Sequence, residues 1–346
     1  MTNTSPATSN EPVTCPLVTV IIPTHNRAGL VVRAVDSALR QTYPNVQIVV
    51  ADDGSTDDTR ARIEGLENVE YYHQENRRQG AARNLGLEHA RGDYIASLDS
   101  DDEWDEDFLA TAVSALERFD ADFVFLNWRE DDGSVVEESK WRDTPRWKNY
   151  SMDGTKRWIL VSQSESRELV FDACPAPSSA ILLRRSAMPM RWNEEMLTGD
   201  DWYLLMEMAL SGRSKFAFTL STHWTKRIHA TNIYHGRDPI EILQNQGFCD
   251  EPRMLEDFGA RLSRSERAKF RRRASIYAMN YGRLLWRREG CSRVVVRSVF
   301  RGFKLSPILS PVYVVGALFR SLRHRLNHQP RDQRDRTAKM LPENVD

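Results

Sequence analysis

Three absences narrow what this chain of 346 residues can be. Its cysteines lie far apart, without a CxxC pair, at Cys15, Cys174, Cys249 and Cys291. This spacing excludes a cysteine-ligated zinc site and indicates reduced thiols in a cytoplasmic protein. No apolar run reaches the roughly 18 residues that a membrane-spanning helix needs. An excess of one charge is also lacking, because 48 Lys and Arg stand against 49 Asp and Glu, which excludes a uniformly basic nucleic-acid-binding protein.

The near-neutral total hides a division of charge along the chain. Residues 260–331 carry 18 Lys and Arg but only two acids, Glu266 and Glu289, so their local charge is +16 and the rest of the chain carries -17. A basic extension on an acidic body suggests an anionic partner, for which a nucleic acid is disfavoured. Within the extension, the apolar stretch 308–319 precedes several arginines. The extension either lies on an anionic membrane surface or packs on the body as a helical subdomain.

Strands alternate with helices from residue 17 onward. The hydrophobic pattern predicts strands at 17–22, 46–51, 69–73, 94–98, 122–127 and 178–183. It predicts helices at 28–41, 56–66, 79–90, 105–119 and 201–210. This alternation implies an α/β fold with a doubly wound, mainly parallel, Rossmann-like sheet. Polar clusters follow three of the strands, at 24–27, 52–53 and 99–102, and we expect them to converge on one crevice at the carboxyl ends of the strands.

Two of these clusters, and an arginine near a helix start, each have a functional and a structural interpretation. Asp99 and Asp101 supply hard oxygen ligands that suit Mg²⁺ or Mn²⁺ beside a diphosphate, or they belong to an acidic helix N-terminus. Their position after a strand favours the metal. Asp53 lies in a tight turn, or its carboxylate accepts hydrogen bonds from a nucleobase or ribose. Arg83, near a helix start, binds a phosphate or base, or it lies on a solvated helix face.

Four motifs, in order, resemble those of the family 2 glycosyltransferases. They are VIIPTHNR at 20–27, ADDGST at 51–56, QGAARN at 79–84 and GDYIASLDSDD at 92–102. The resemblance covers 17–127 closely and extends weakly to about residue 236. It implies the GT-A fold, a nucleotide-sugar donor, and inversion at the anomeric carbon.

The resemblance also implies roles for individual residues. The residues that correspond to the family's nucleotide contacts are Pro23, His25, Arg27, Asp53, Arg83 and Asp99. His25 stands where the family often has Tyr. The implied metal ligands for Mn²⁺ or Mg²⁺ are Asp101, Asp99 and His229.

An acidic pair before Trp202 resembles the family's catalytic pair, with Asp200 in the place of the usual Glu. The resemblance implies that Asp201 is the general base, since a carboxylate can take the proton of an attacking acceptor hydroxyl. Without the resemblance, a helix cap is the simpler interpretation. Trp192 and Trp202 either flank an acceptor sugar or pack in the core.

The predicted function is metal-dependent transfer of a sugar, with inversion, to a hydroxyl of a glycan or lipid-linked acceptor. The predicted donor is a nucleotide-sugar, and a UDP-sugar is favoured. The predicted location is cytoplasmic, and it is peripheral on the cytoplasmic face of the membrane if the basic extension lies on a membrane surface. A nucleotidyltransferase is the main alternative, but the Gly-rich phosphate loop usual after its first strand is lacking. The other alternative is a non-catalytic membrane-associated scaffold, against which the intact acids argue.

The same patterns predict the organisation of the chain. Residues 1–16 lack the apolar run of a signal peptide and read as a disordered leader. The transferase domain spans 17–236, with a nucleotide-sugar half at 17–127 and an acceptor half at 128–236. A helical basic extension at 237–331 and a polar tail at 332–346 follow.

Overall fold

The computed structural model describes residues 15–138, 150–155, 157–230, 232 and 238–307. The chain divides into two compact units between Arg237 and Asp238. Most of the predicted leader, the apolar stretch 308–319 and the polar tail lie outside the described residues.

The first unit begins with the parallel part of its sheet. The strands are β1 (Val18–Thr24), β2 (Val46–Asp52), β3 (Val69–His73) and β4 (Tyr94–Ser97). They pair in parallel in the order β3-β2-β1-β4. Every residue of β1 is buried, as expected for a strand covered on both faces. The alternating order predicted for this region is confirmed.

Three helices connect these strands. They are α1 (Ala28–Leu39), α2 (Thr59–Ile63) and α3 (Gln79–His89). α1 buries Val31, Ala34, Val35 and Ala38, which recur at helical spacing on one side. α2 is much shorter than the helix predicted at 56–66.

The rest of the sheet is mixed. Its strands are β5 (Asp102–Trp104), β6 (Phe123–Asp131), β7 (Val136–Glu138), β8 (Ser151–Met152), β9 (Trp158–Val161), β10 (Ile181–Arg184) and β11 (Phe216–Arg227). Its helices are α4 (Phe108–Arg118), α5 (Gln163–Asp172) and α6 (Asp200–Leu210). β10 lies antiparallel between β4 and β6, whereas β11 runs parallel to β6 and antiparallel to β9.

Of the two interpretations left open for the acids at 99–102, the one that their position after a strand disfavoured is wrong. The interpretation of the acids around residue 102 as a helix N-terminus fails, because Asp102 begins β5, which pairs with β11. The following helix starts only at Phe108. Trp104 is buried in this strand and its indole N–H donates to the Ser179 carbonyl at 2.7 Å, so tertiary contacts override the acidic pattern.

The second unit is helical where it is described. It contains α7 (Pro239–Gln244), a π-helical turn (Asn245–Asp250), α8 (Glu251–Phe258), α9 (Arg264–Glu289) and α10 (Arg293–Leu305). α9 begins at a capping box formed by Ser263 and Glu266. It ends before Gly290, whose φ of 78° is readily adopted only by glycine. Within the described residues, no helix is both long and apolar enough to cross a bilayer.

Candidate active site

The loops at the carboxyl ends of β1, β2 and β4 meet one another. The backbone N–H of Asp53 donates to the Thr24 carbonyl at 2.9 Å, and the N–H of Asn26 donates to Ser55 Oγ at 2.8 Å. From the same β1 loop, Arg27 reaches Asp101 after β4. Parallel neighbouring strands present their carboxyl ends at one edge, so the three polar clusters form one crevice.

Asp53 organises one side of this crevice. Its carboxylate is buried and accepts from the backbone N–H groups of Arg77 at 2.8 Å and Arg78 at 2.7 Å, and from the side chain of Gln74 at 2.7 Å. His25 Nδ1 lies 2.9 Å from the Asp53 carbonyl oxygen. Asp53 therefore holds the loop that leads into α3. Its recognition of a base stays a prediction.

Three carboxylates gather after β4. Asp99, Asp101 and Asp102 each place one oxygen within 4.8 Å of the others. Such a set of hard oxygen donors suits Mg²⁺ or Mn²⁺. Asp102 lies deepest, where it accepts from Ser179 Oγ at 2.6 Å, and burial beside the other two acids raises its pKa well above the ordinary value. Asp99 and Asp101 are thus the more accessible pair.

Asp101 has a polar surround of its own. Its Oδ2 lies 2.7 Å from Arg27 Nη1, 3.0 Å from His229 Nε2 and 2.9 Å from Asn232 Nδ2. The structure therefore brings together Arg27, Asp101 and His229, which are far apart in the sequence. Asn232 was not singled out by the sequence, although it lies in the same segment as His229.

Arg83 lies at the centre of the site. Its side chain is only 2% exposed, and its guanidinium donates to Asp99 Oδ1 at 2.8 Å, to Ser178 Oγ at 2.8 Å and to Asp200. Nη2 also lies 3.6 Å from Asp201 Oδ2. Arg83 thus links the carboxylate cluster after β4 to the acidic pair at the start of α6.

The two acids of that pair have different surroundings. Asp200 is fully buried, and burial raises its pKa to about 6 against the attraction of Arg83. Asp201 is partly exposed, and accepts from the Trp192 indole N–H at 2.9 Å and from Ser178 Oγ. A cavity of about 10 Å³ beside Asp201, about the room one water molecule needs, is lined by Ser178 and Trp192. Asp200 therefore holds the Arg83 side chain in place, whereas Asp201 is exposed to the site.

Comparison with known proteins gives these features a family. Residues 19–187 match the sequence model described as glycosyl transferase family 2. This part of the chain belongs to glycosyl transferase family 2. The matched segment runs from the second residue of β1 to beyond β10 and contains every acid of the cluster after β4.

Curated relatives cover only part of the chain. Glycosyltransferase GlyA of Streptococcus pneumoniae is 35% identical over 67% of this chain and 35% of the relative. The putative teichuronic acid biosynthesis glycosyltransferase TuaG of Bacillus subtilis is 36% identical over 33% of this chain and 47% of the relative. The aligned part of this chain thus spans less than half the length of either relative.

Solved structures share the fold at low sequence identity. Residues 1–349 of TarS from S. aureus align with a TM-score of 0.58 at 17% identity, over 85% of this chain and 82% of that TarS chain. The mannosyltransferase PcManGT of Pyrobaculum calidifontis aligns with a TM-score of 0.52 at 18% identity, over 90% of this chain and 82% of the other. The predicted GT-A fold is confirmed.

The structure places several of the residues that the sequence singled out more precisely than the sequence could. Pro23 is buried within β1, so the loop itself begins at His25. Arg83 is not on a solvated helix face, and protein acceptors already engage its guanidinium. Trp192 is buried and directed at Asp201, whereas the Trp202 indole N–H donates to the Val170 carbonyl at 2.6 Å.

Two contributors to the site are not among the residues that the sequence singled out. Ser178, which lies between Arg83 and Asp201, has no motif of its own, and its contact with Arg83 spans 95 positions. Gln79 donates to Asp200 across 121 positions. The QGAARN motif contains Gln79, so that motif was the one available signal.

Proposed function

We propose that this protein is a metal-dependent, inverting glycosyltransferase that moves a sugar from a nucleotide to an acceptor hydroxyl. The observation that carries the proposal is the buried Arg83, which ties the carboxylates after β4 to the acidic pair of α6. A transferase needs a site for the leaving diphosphate and a base for the acceptor within one crevice. Arg83 holds both sets of acids in one arrangement.

The carboxylates after β4 fit a divalent cation. Asp99 and Asp101 would hold Mn²⁺ or Mg²⁺, with His229 Nε2 beside Asp101 as a further donor. When bound, such an ion neutralises charge on the leaving nucleoside diphosphate. Arg27 contacts Asp101 from the β1 loop, so its guanidinium is close enough to contribute to the same neutralisation.

Asp201 is the base in this proposal. The Trp192 indole and the Ser178 hydroxyl each donate to a different oxygen of Asp201, which fixes the plane of the carboxylate. Asp201 takes the acceptor hydroxyl proton while the acceptor oxygen bonds to the anomeric carbon and the bond from that carbon to the diphosphate oxygen breaks. One such displacement inverts the anomeric configuration.

The donor and acceptor classes rest on the comparisons. TarS has been crystallised with UDP and with UDP-GlcNAc, and PcManGT with GDP-Man and Mn²⁺, which supports a nucleotide-sugar donor here, with UDP preferred. The name of TuaG refers to teichuronic acid biosynthesis, which supports a glycan or lipid-linked acceptor and a role in polysaccharide biosynthesis.

Asp201→Asn tests the base. The amide keeps the shape of the side chain but cannot take the proton, so transfer from a UDP-sugar panel should fall by at least a thousandfold, the upper part of the range for general-base loss. Binding of the donor, measured by calorimetry, should change less than threefold. The control is Asp36→Asn, an exposed acid of α1. Turnover by Asp201→Asn at the wild-type rate would remove Asp201 from the mechanism.

Asp101→Ala tests the cation. Titration of UDP with and without Mn²⁺ should show that Mn²⁺ strengthens UDP binding to the wild-type protein. The factor by which Mn²⁺ raises the affinity should be at least tenfold smaller in the variant. Binding without Mn²⁺ should be similar in both proteins. An undiminished Mn²⁺ effect in the variant would show that Asp101 does not hold the ion.

A further inference from the structure

The outward side of α10 is basic and carries exposed apolar side chains. We call Arg293, Val296, Arg297, Phe300 and Lys304 the α10 face. Counted from Arg293, they occupy positions i, i+3, i+4, i+7 and i+11, a pattern that places all five on one side of the helix. Phe300 is 72% exposed and Val296 is 43% exposed, although both are large apolar residues. Apolar side chains that are exposed together on a basic side of a helix are typical of a surface that binds another molecule or a membrane.

The opposite side of α10 already packs within the second unit. Val295, Ser298 and Gly302 are buried there. Ser275 Oγ of α9 donates to the Gly302 carbonyl at 2.9 Å, and a Cβ on Gly302 would approach Met279 Cγ to 2.9 Å. The helix therefore satisfies its packing through this inner side, and the α10 face is not needed to hold it in place.

The cations of the α10 face are not engaged by protein acids. Among the described residues, Arg293, Arg297 and Lys304 form no ion pair, and α10 contains no Asp or Glu. Other cations of this unit behave differently, since Arg273 pairs with Glu251, and Arg288 pairs with Glu289 at 2.9 Å. Within the part of the chain that the structure describes, the α10 face thus presents three cations without a counterion.

We propose that the α10 face binds the surface of an anionic phospholipid bilayer. A helix that lies in the interface places apolar side chains at the acyl boundary while long basic side chains reach the phosphates, and Phe300, Val296 and the three cations match these two layers. The second unit also exposes an aromatic side chain near the end of α9, since Trp286 is 60% exposed. This inference goes beyond the transfer reaction and does not depend on it.

Flotation of the full chain with lipid vesicles tests the proposal. At low salt, the protein should float with vesicles of phosphatidylcholine and phosphatidylglycerol but not with phosphatidylcholine alone, and physiological salt should weaken the binding. The triple variant Arg293→Gln, Arg297→Gln, Lys304→Gln should bind about a hundredfold more weakly, because each basic residue near such a surface contributes roughly fivefold. Phe300→Ser should weaken binding about tenfold without any change in charge.

A matched control separates the α10 face from net charge. Arg40→Gln, Arg62→Gln, Lys215→Gln removes three exposed cations of the first unit, and should float like the wild-type protein. Equal losses in both triple variants, or flotation unaffected by Phe300→Ser, would overturn the proposal. The proposal would also be overturned if the wild-type chain did not float with anionic vesicles. Binding of a short RNA through these cations would not rescue it. Circular dichroism checks that the helices of each variant are intact.

Discussion

Arg83→Gln should destabilise the protein strongly and in a pH-dependent way. The substitution removes the cation that Asp200 and Asp99 share in a nearly fully buried position. Breaking a buried ion pair by removal of one partner costs about 3–5 kcal/mol. That is a large part of the roughly 5–15 kcal/mol by which a folded domain is normally stable.

The pH dependence follows from Asp200. Its folded pKa of about 6 lies above the ordinary value of 3.8, so the folded state binds this proton more tightly than the unfolded state does. Burial of the Asp200 carboxyl therefore does not lower the free energy of unfolding below about pH 4, where it is protonated in both states. Above about pH 6, where it is ionised in both states, the lowering is complete. Without Arg83, the pKa of Asp200 should rise further, because a favourable charge is gone. Acid should then relieve part of the cost.

Urea unfolding at pH 8 and pH 5 measures both effects. We expect Arg83→Gln to lower the free energy of unfolding by about 3–5 kcal/mol at pH 8, and by clearly less at pH 5. The control is Arg77→Gln, since Arg77 pairs with Glu194 at 2.6 Å but is well exposed, and such pairs contribute about 0–1 kcal/mol. A loss below 1 kcal/mol for Arg83→Gln, or an equal loss at both pH values, would refute the reasoning.

Two further substitutions test the positioning of Asp201 and the packing of α3. Trp192→Phe keeps an aromatic ring but removes the N–H that donates to Asp201, so kcat should fall about tenfold while the donor KM stays constant. A change in KM alone would contradict the positioning role. Gly86→Ala places a Cβ 2.3 Å from Ile21 Cγ2 and should lower the free energy of unfolding in urea by about 1–3 kcal/mol. The control Gly29→Ala, with open space around it, should leave that free energy unchanged or raise it. Equal effects would show that α3 does not pack this closely on β1.

Local patterns predicted the parallel part of the fold well. β3 was predicted with its observed bounds, and β1, β2 and β4 within two residues, because apolar runs between turn residues are local signals. The same patterns did not predict β5, which has three residues and exists only because β11 pairs with it. Strand pairing across more than 100 residues leaves no periodic trace in a segment this short.

The sequence by itself determined that acids and polar residues follow β1, β2 and β4, and that a basic segment follows an acidic body. The topology of parallel strands then makes a common crevice unavoidable. Only the tertiary structure decided that Arg83 lies buried among Asp99, Asp200 and Ser178, and that α10 exposes three cations that pair with no acid among the described residues. The physical reason is that charge and periodicity are properties of a segment. Burial and pairing depend on which distant segments pack against it.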